Sequence, residues 1–221
     1  MHYPSSGQLA EDIFANAIAN SDLDGRLFPV LLNLLVRGSS VRPDELAAAL
    51  DLSLEEINAW LHSSVNVERD SAGNIEGFGL TLRRTPHAFE VDGRRLYAWC
   101  ALDTLIFPTL LGRSALVTSR CAATGAPIRL RVTPDAVEDI APAGTAVSLV
   151  VPQTSSDVRT SFCSLVHFFV SIDAAKDWLA AHPGAQVLPV RDAYEVGKET
   201  SYLGSWRRRA MDHECCEVPV R

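Results

Sequence analysis

Apolar residues recur at helical spacing in three successive stretches between Leu27 and Ser64, and each stretch carries its own end signals. "LFPVLLNLLVRG" closes at Gly38, a residue type that ends helices because it enters the left-handed region at little cost. "RPDELAAAL" begins with Pro43 at a first-turn position and follows it with acids, which the positive helix terminus favours. "SLEEINAWLHSS" opens with Ser53 and places Glu56 three residues on, the spacing of a capping box. The pattern then shortens in "VNVERDSAGNIEGFGLTL", which reads as a hairpin turning at Ser71–Asn74. Three short helices and a hairpin wing predict a winged-helix-like N-terminal region over 1–82.

The remainder is richer in strands. "HAFEVDGRRLYAW" predicts two strands about an Asp92-Gly93 turn, and "SALVTSRC", "APIRLRVTP" and "GTAVSLVVP" add more. "DVRTSFCSLVHFFVS" ends in an apolar run suited to a buried strand, which sets Cys163 at a loop-to-strand junction. "SIDAAKDWLAAHPG" is a short amphipathic helix ending before Gly184. The class is α+β: the winged-helix-like region, then a C-terminal α/β core of mixed sheets and short helices over 83–200. The segment 201–221 lacks packing periodicity and reads as a mobile tail.

One stretch breaks the pattern. "YAWCALDTLIFPTLLG" sets Cys100 and Asp103 into an otherwise apolar run, with Pro108 and Gly112 limiting its helical length. Cysteine alone passes as a small hydrophobe, but a buried carboxylate is expensive unless paired or protonated. Three apart on a helix, the two side chains share a face. A thiol beside a proton carrier in a dry setting is a candidate site.

Composition narrows the function. The 221 residues are 47% hydrophobic, enough for one large core or two small ones. A net charge of −7 disfavours a general nucleic-acid binder, and the segment that would enter a groove, 53–64, carries Glu55 and Glu56 but no Lys or Arg. Arg83, Arg84, Arg94 and Arg95 read as a solvated face. No apolar stretch approaches the roughly 20 residues of a membrane span, and no signal peptide is visible at the start, so a cytoplasmic protein is expected. Five cysteines, an odd number without paired CxxC spacing, exclude a disulfide framework and structural zinc as expectations. Among them Cys163 has Arg159 four residues earlier, a charge that favours its thiolate. Cys121 and His167 read as core residues.

"RRLYAWCALDTLIFPTLLG", "CAATGAP", "PAGTAVSLVVPQ" and "DVRTSFCSLVHFF" occur in an order that closely resembles the bacterial organomercurial lyases (alkylmercury lyases). The likeness runs from about Leu27 to Tyr194 and includes "GNIEGFGLTLR". It implies cleavage of the carbon–mercury bond to a hydrocarbon and Hg(II), with no organic cofactor. It places the family's first catalytic cysteine on Cys100, its acid on Asp103 and its second cysteine on Cys163, with Cys121 at a structural position. Ser164 stands where some members carry a further cysteine. The resemblance also implies external thiols, or mercuric reductase, as the acceptor of Hg(II), which Cys100, Cys163 and Asp103 would hold as product.

The chemistry suits these residue types. Mercury is soft and prefers thiolate, and an alkyl carbon bound to mercury accepts a proton poorly until thiolates push electron density onto it. Asp103, among Leu102, Leu105, Ile106 and Phe107, is placed to keep a proton near neutral pH and deliver it. Trp99, Phe107, Phe162 and Phe168 are available to line a site for a hydrophobic group. Two other classes compete. A winged-helix metal-responsive regulator would bind Hg(II) or a similar metal through the same cysteines without turnover. A thiol oxidoreductase would pair Cys100 with Cys163 but leave Asp103 unexplained. In the tail, Cys215 and Cys216 beside His213 are candidate captors of departing Hg(II).

Overall fold

A computed structural model describes residues 6–13, 15, 26–151 and 157–201. The tail thiols Cys215 and Cys216 lie outside the described residues. The N-terminal part holds helices α1 (Ser6–Ile13), α2 (Leu27–Leu35), α3 (Pro43–Leu50) and α4 (Leu54–Ser63). Their ends follow the sequence signals. Pro43 opens α3, and the Ser53 hydroxyl accepts from Glu56 N while Glu56 Oε2 accepts from Ser53 N at 2.8 Å. Gly38, at φ 84°, closes the turn after α2 by donating to the Leu35 carbonyl at 2.9 Å.

The expected wing is strand β1 (Glu68–Arg69) paired antiparallel with β2 (Ile75–Phe78). Asp70 forms its turn by accepting the N–H groups of Ala72 and Asn74, both at 2.9 Å. The wing is also the edge of a larger sheet. With β3 (Leu80–Thr81), β4 (His87–Val91), β5 (Arg94–Ala98), β6 (Ala115–Arg120), β7 (Pro127–Val132) and β8 (Val137–Ala141) it gives the order β1-β2-β3-β5-β4-β6-β7-β8. Asp92 and Gly93 both have positive φ, 50° and 71°, which is what a two-residue β4–β5 turn requires. Of the arginines read as a solvated face, Arg83 is committed to Glu76 at 2.8 Å.

Helix α5 (Ala101–Leu111) follows β5 directly and packs on the inner face of the sheet, burying Leu102, Leu105, Phe107 and Leu111. Pro108 sits inside this helix and does not shorten it; the helix ends at Gly112, φ 64°. A three-stranded sheet, β10 (Phe168–Phe169), β9 (Ala146–Leu149) and β11 (Gln186–Pro189), forms the second layer. The apolar run after Cys163 therefore supplies a strand of only two residues. Before it lie α6 (Val158–Ser161) and a 3-10 turn over Cys163–Leu165, so Cys163 sits on that turn and not at a loop-to-strand junction. The reason is local: Asp157 accepts Thr160 N at 2.9 Å, and the Ser161 and Ser164 hydroxyls donate back to the Asp157 and Thr160 carbonyls, both at 2.7 Å. Helix α7 (Lys176–Ala181) is the expected amphipathic helix, preceded by a 3-10 turn at Asp173–Ala175.

A final helix over 190–201 had no counterpart in the sequence reading. It buries Val190, Ala193, Tyr194 and Val196. A Cβ on its Gly197 would stand 3.1 Å from Ile106 and 3.2 Å from Leu102, so the missing side chain lets it lie close against α5. No helix among the described residues is long and apolar enough to cross a membrane.

Candidate active site

Cys100, Asp103 and Cys163 come together: one ligand atom from each lies within 4.8 Å of the other two. The geometry differs from two residues sharing a helix face. Cys100 is the N-cap of α5, in extended conformation (φ −140°, ψ 173°), and Asp103 is the third helical residue. Asp103 Oδ2 accepts the Cys100 N–H at 3.0 Å, and the Cys100 sulfur faces the Asp103 N–H, which makes a capping box of a thiol and a carboxylate. The sequence spacing is thus satisfied by a helix start, where the polar groups of the backbone need partners in any case.

Cys163 arrives from a distant stretch through backbone anchors. The Val166 carbonyl accepts the Ala101 N–H at 3.1 Å, tying its turn to the first residue of α5. Ser148 of β9 is fully buried; its hydroxyl donates to the Leu165 carbonyl and accepts from His167 N, both at 2.9 Å. On the upstream side, Asn66 Oδ1 accepts the Val158 N–H at 3.0 Å, and Glu68 pairs with Arg159. The Arg159 guanidinium lies 5.0 Å from the centre of the Trp99 ring.

The three groups share a dry setting. Cys100 is 0% exposed and Cys163 6%, while Asp103 is half-buried and opens into a cavity of about 70 Å³. Phe28, Phe78, Trp99, Ile106, Phe107 and Val158 supply its apolar wall. Trp99 and Phe107 were legible as lining residues. Phe162 and Phe168 are core residues instead, and Phe28, Phe78 and Asn66 were missed because they come from the N-terminal region. The Trp99 indole N–H has no hydrogen-bond partner among the described residues.

Burial pushes the Asp103 carboxyl up to about 7, against the hydrogen bonds from Cys100 that pull it down. Burial likewise pushes the Cys100 thiol well above its ordinary value, and its hydrogen bond to Cys163 and the nearby Asp103 add to this. For Cys163 the hydrogen bond from Cys100 favours the thiolate. Burial and Asp103 outweigh it, so that thiol is raised too, despite the opposing pull of Arg159. The free site therefore stores protons at neutral pH. Asp103 also makes stability pH-dependent. Its folded pKa lies above the ordinary 3.8, so the folded chain binds a proton that the unfolded chain releases, and stability falls as pH rises through 7. The variant Asp103→Asn is expected to melt above the parent chain at about pH 8, with the gap closing toward about pH 5. Thermal melts at the two pH values check this.

The other sequence candidates stand apart. Cys121 is buried at a tight turn; burial raises its pKa, but hydrogen bonds from the Thr124 hydroxyl and turn backbone outweigh it and hold the thiol below its ordinary value. His167 packs edge-on against Trp178. Ser164 is exposed, its hydroxyl spent on Thr160.

Asp103 and Cys163 line the apolar cavity with the Cys100 thiol beside them, and two thiols next to a protonatable carboxyl are a donor set that suits a soft metal. The family profile described as "Alkylmercury lyase" matches residues 80–201, and that of the "Helix-turn-helix domain of alkylmercury lyase" matches residues 8–79. The alkylmercury lyase of Pseudomonas putida is 50% identical over 192 residues, 84% of this chain and 91% of the relative. That of Bacillus cereus is 48% identical over 194 residues, 87% and 88% of the two chains. A crystal structure of the mercury-bound form of MerB2 superposes with a TM-score of 0.74 at 23% identity, covering 90% of this chain and 98% of that one, a likeness of fold. The chain belongs to the alkylmercury lyase family.

Proposed function

We propose that this chain cleaves the carbon–mercury bond of organomercury compounds, with Cys100 and Cys163 as mercury ligands and Asp103 as proton carrier. The observation that carries the assignment is the convergence of ligand atoms from these three side chains within 4.8 Å, with Asp103 and Cys163 lining an apolar cavity. An organomercurial enters as its adduct with a small thiol. Asp103 takes the proton of Cys100 as that sulfur bonds to mercury. Cys163 adds as the second ligand, and its proton leaves with the displaced thiol. Electron density driven through mercury makes the carbon basic, and Asp103 returns its proton there as the carbon–mercury bond breaks. The products are a hydrocarbon and Hg(II) held by two thiolates, so protons and charge balance without an organic cofactor.

The raised Asp103 pKa supports both halves of the shuttle, because a carboxyl near 7 gains and loses a proton at neutral pH with little cost. A cavity of about 70 Å³ is below the roughly 150 Å³ that holds benzene in an engineered apolar core, so it takes a methyl group as it stands and must widen for an aryl ring. External small thiols, or mercuric reductase, then remove Hg(II). Such turnover belongs in a reducing compartment, the cytoplasm. The chain divides near residue 82 into a covering module and the core that bears the thiols.

Incubation with phenylmercury and excess thiol is expected to release benzene. A regulator that binds Hg(II) through the same cysteines would retain phenylmercury intact. A thiol oxidoreductase would change its thiol titre with peroxide and yield no benzene.

A further inference from the structure

The N-terminal module contributes no thiol, yet its wing closes on the segment that carries Cys163. Glu68 of β1, Gly77 of β2 and Thr81 of β3 stand side by side in register. Because Gly77 has no side chain, Glu68 reaches across it, and the Thr81 hydroxyl donates to Glu68 Oε2. A Cβ on Gly77 would lie 2.5 Å from that oxygen and 2.7 Å from the Thr81 side chain. The other carboxylate oxygen accepts from Arg159 Nη1. The Glu68 side chain is only 6% exposed, whereas Arg159 keeps 49%. A carboxylate at that depth is costly without a partner, so the wing holds a fixed negative charge aimed at α6. Two residues before it, Asn66, also buried, takes the N–H of Val158.

We propose that Asn66 and Glu68 are positioning residues for the reaction, the wing clamping α6 through Val158 and Arg159 and so holding Cys163 opposite Cys100 and Asp103. The inference rests on the two-thiol reading above. Helix α6 has four residues, too few to keep its geometry unaided, and the Cys163 turn follows it directly. Downstream, the turn is tied to β9 and α5 through Ser148 and Ala101; upstream, Asn66 and Glu68 of the wing tie α6 to the sheet. Arg159, lying over Trp99, joins the same clamp to the residue before Cys100. A module shaped like a DNA reader, with acids on the helix that would enter the groove, thereby has a task in catalysis.

The test uses the full chain with methylmercury and saturating small thiol. It records kcat, KM, melting temperature, and the rate at which a short bifunctional thiol reagent bridges Cys100 and Cys163, located by peptide mapping. Glu68→Gln and Gly77→Ala are each expected to lower kcat about ten- to a hundredfold with KM little changed, since small misplacements of a reacting group cost that much. Bridging slows in parallel, and Asn66→Ala shows the same effects more weakly. Arg159→Gln matches Glu68→Gln, and the double variant is no slower than either, because the pair acts as one unit. Arg159→Lys recovers part of the loss, keeping the charge without the planar fork. A lowered melting temperature with kcat and bridging intact would overturn the proposal, as would multiplicative losses in the double variant. If Glu68→Gln does not fold, Gly77→Ala and Arg159→Gln decide the matter. A parent chain that releases no hydrocarbon defeats the two-thiol reading, while the bridging rates still report whether the wing sets the spacing.

Discussion

The Asp103→Asn variant is expected to bind organomercury with the parent's stoichiometry and to release hydrocarbon about 10²–10⁴-fold more slowly, the range a positioned proton donor contributes. Both thiols remain in this variant, so capture of mercury is preserved. The amide oxygen can still accept the Cys100 N–H, so the start of α5 is kept. What is lost is the group that, alone among the described lining residues, gains and releases a proton near pH 7. Single-turnover measurement separates the steps: mercury bound per chain reports capture, and headspace hydrocarbon reports proton delivery. Near-parental hydrocarbon release would mean that a proton reaches carbon by another route.

Cys100→Ser and Cys163→Ser are each expected to abolish detectable cleavage, because hydroxyl is a poor ligand for a soft metal. The two need not fail alike. With Cys163 gone, Cys100 still sits in its capping box beside Asp103 and can form a stable mono-thiolate adduct. With Cys100 gone, mercury bound at Cys163 no longer shares a ligand with the helix start. Cys121→Ser is the control. It lies outside the cluster, so its expected cost is stability, about 1–3 kcal/mol for a disturbed buried polar group, with single-turnover cleavage retained. Loss of cleavage in Cys121→Ser together with activity in Cys163→Ser would reverse the assignment.

What could be read from the chain depended on how local the determinants are. Ser53 with Glu56, Pro43, Gly38 and the Asp92-Gly93 turn each act within a few residues, and each appears where the pattern put it. Cys100 and Asp103 stood out because a carboxylate in an apolar run demands a reason. Their capping geometry was hidden, since the same spacing serves a helix face and a helix start. On its downstream side Cys163 is tied toward Cys100 by the Val166 carbonyl and the Ser148 hydroxyl, neither of which carries a sequence signature of its own. Resemblance to a known family supplied that pairing. The helix over 190–201 escaped notice because it starts at once after β11 and puts Ala193 and Gly197 on its packed face, which blunts the apolar rhythm. Asn66 and Glu68 looked like ordinary hairpin polar residues; only the fold sets them against Val158 and Arg159.

In the proposed reaction one chain, without an organic cofactor, trades a carbon–mercury bond for two sulfur–mercury bonds and a carbon–hydrogen bond. Mixing the protein, freed of external thiol, with a limiting amount of methylmercury in heavy water tests it most directly. The expected result is one singly deuterated methane per mercury added, with Hg(II) retained on the chain and Cys100 and Cys163 both blocked to alkylation. Methylmercury recovered intact from the protein, with no methane in the headspace, would contradict it.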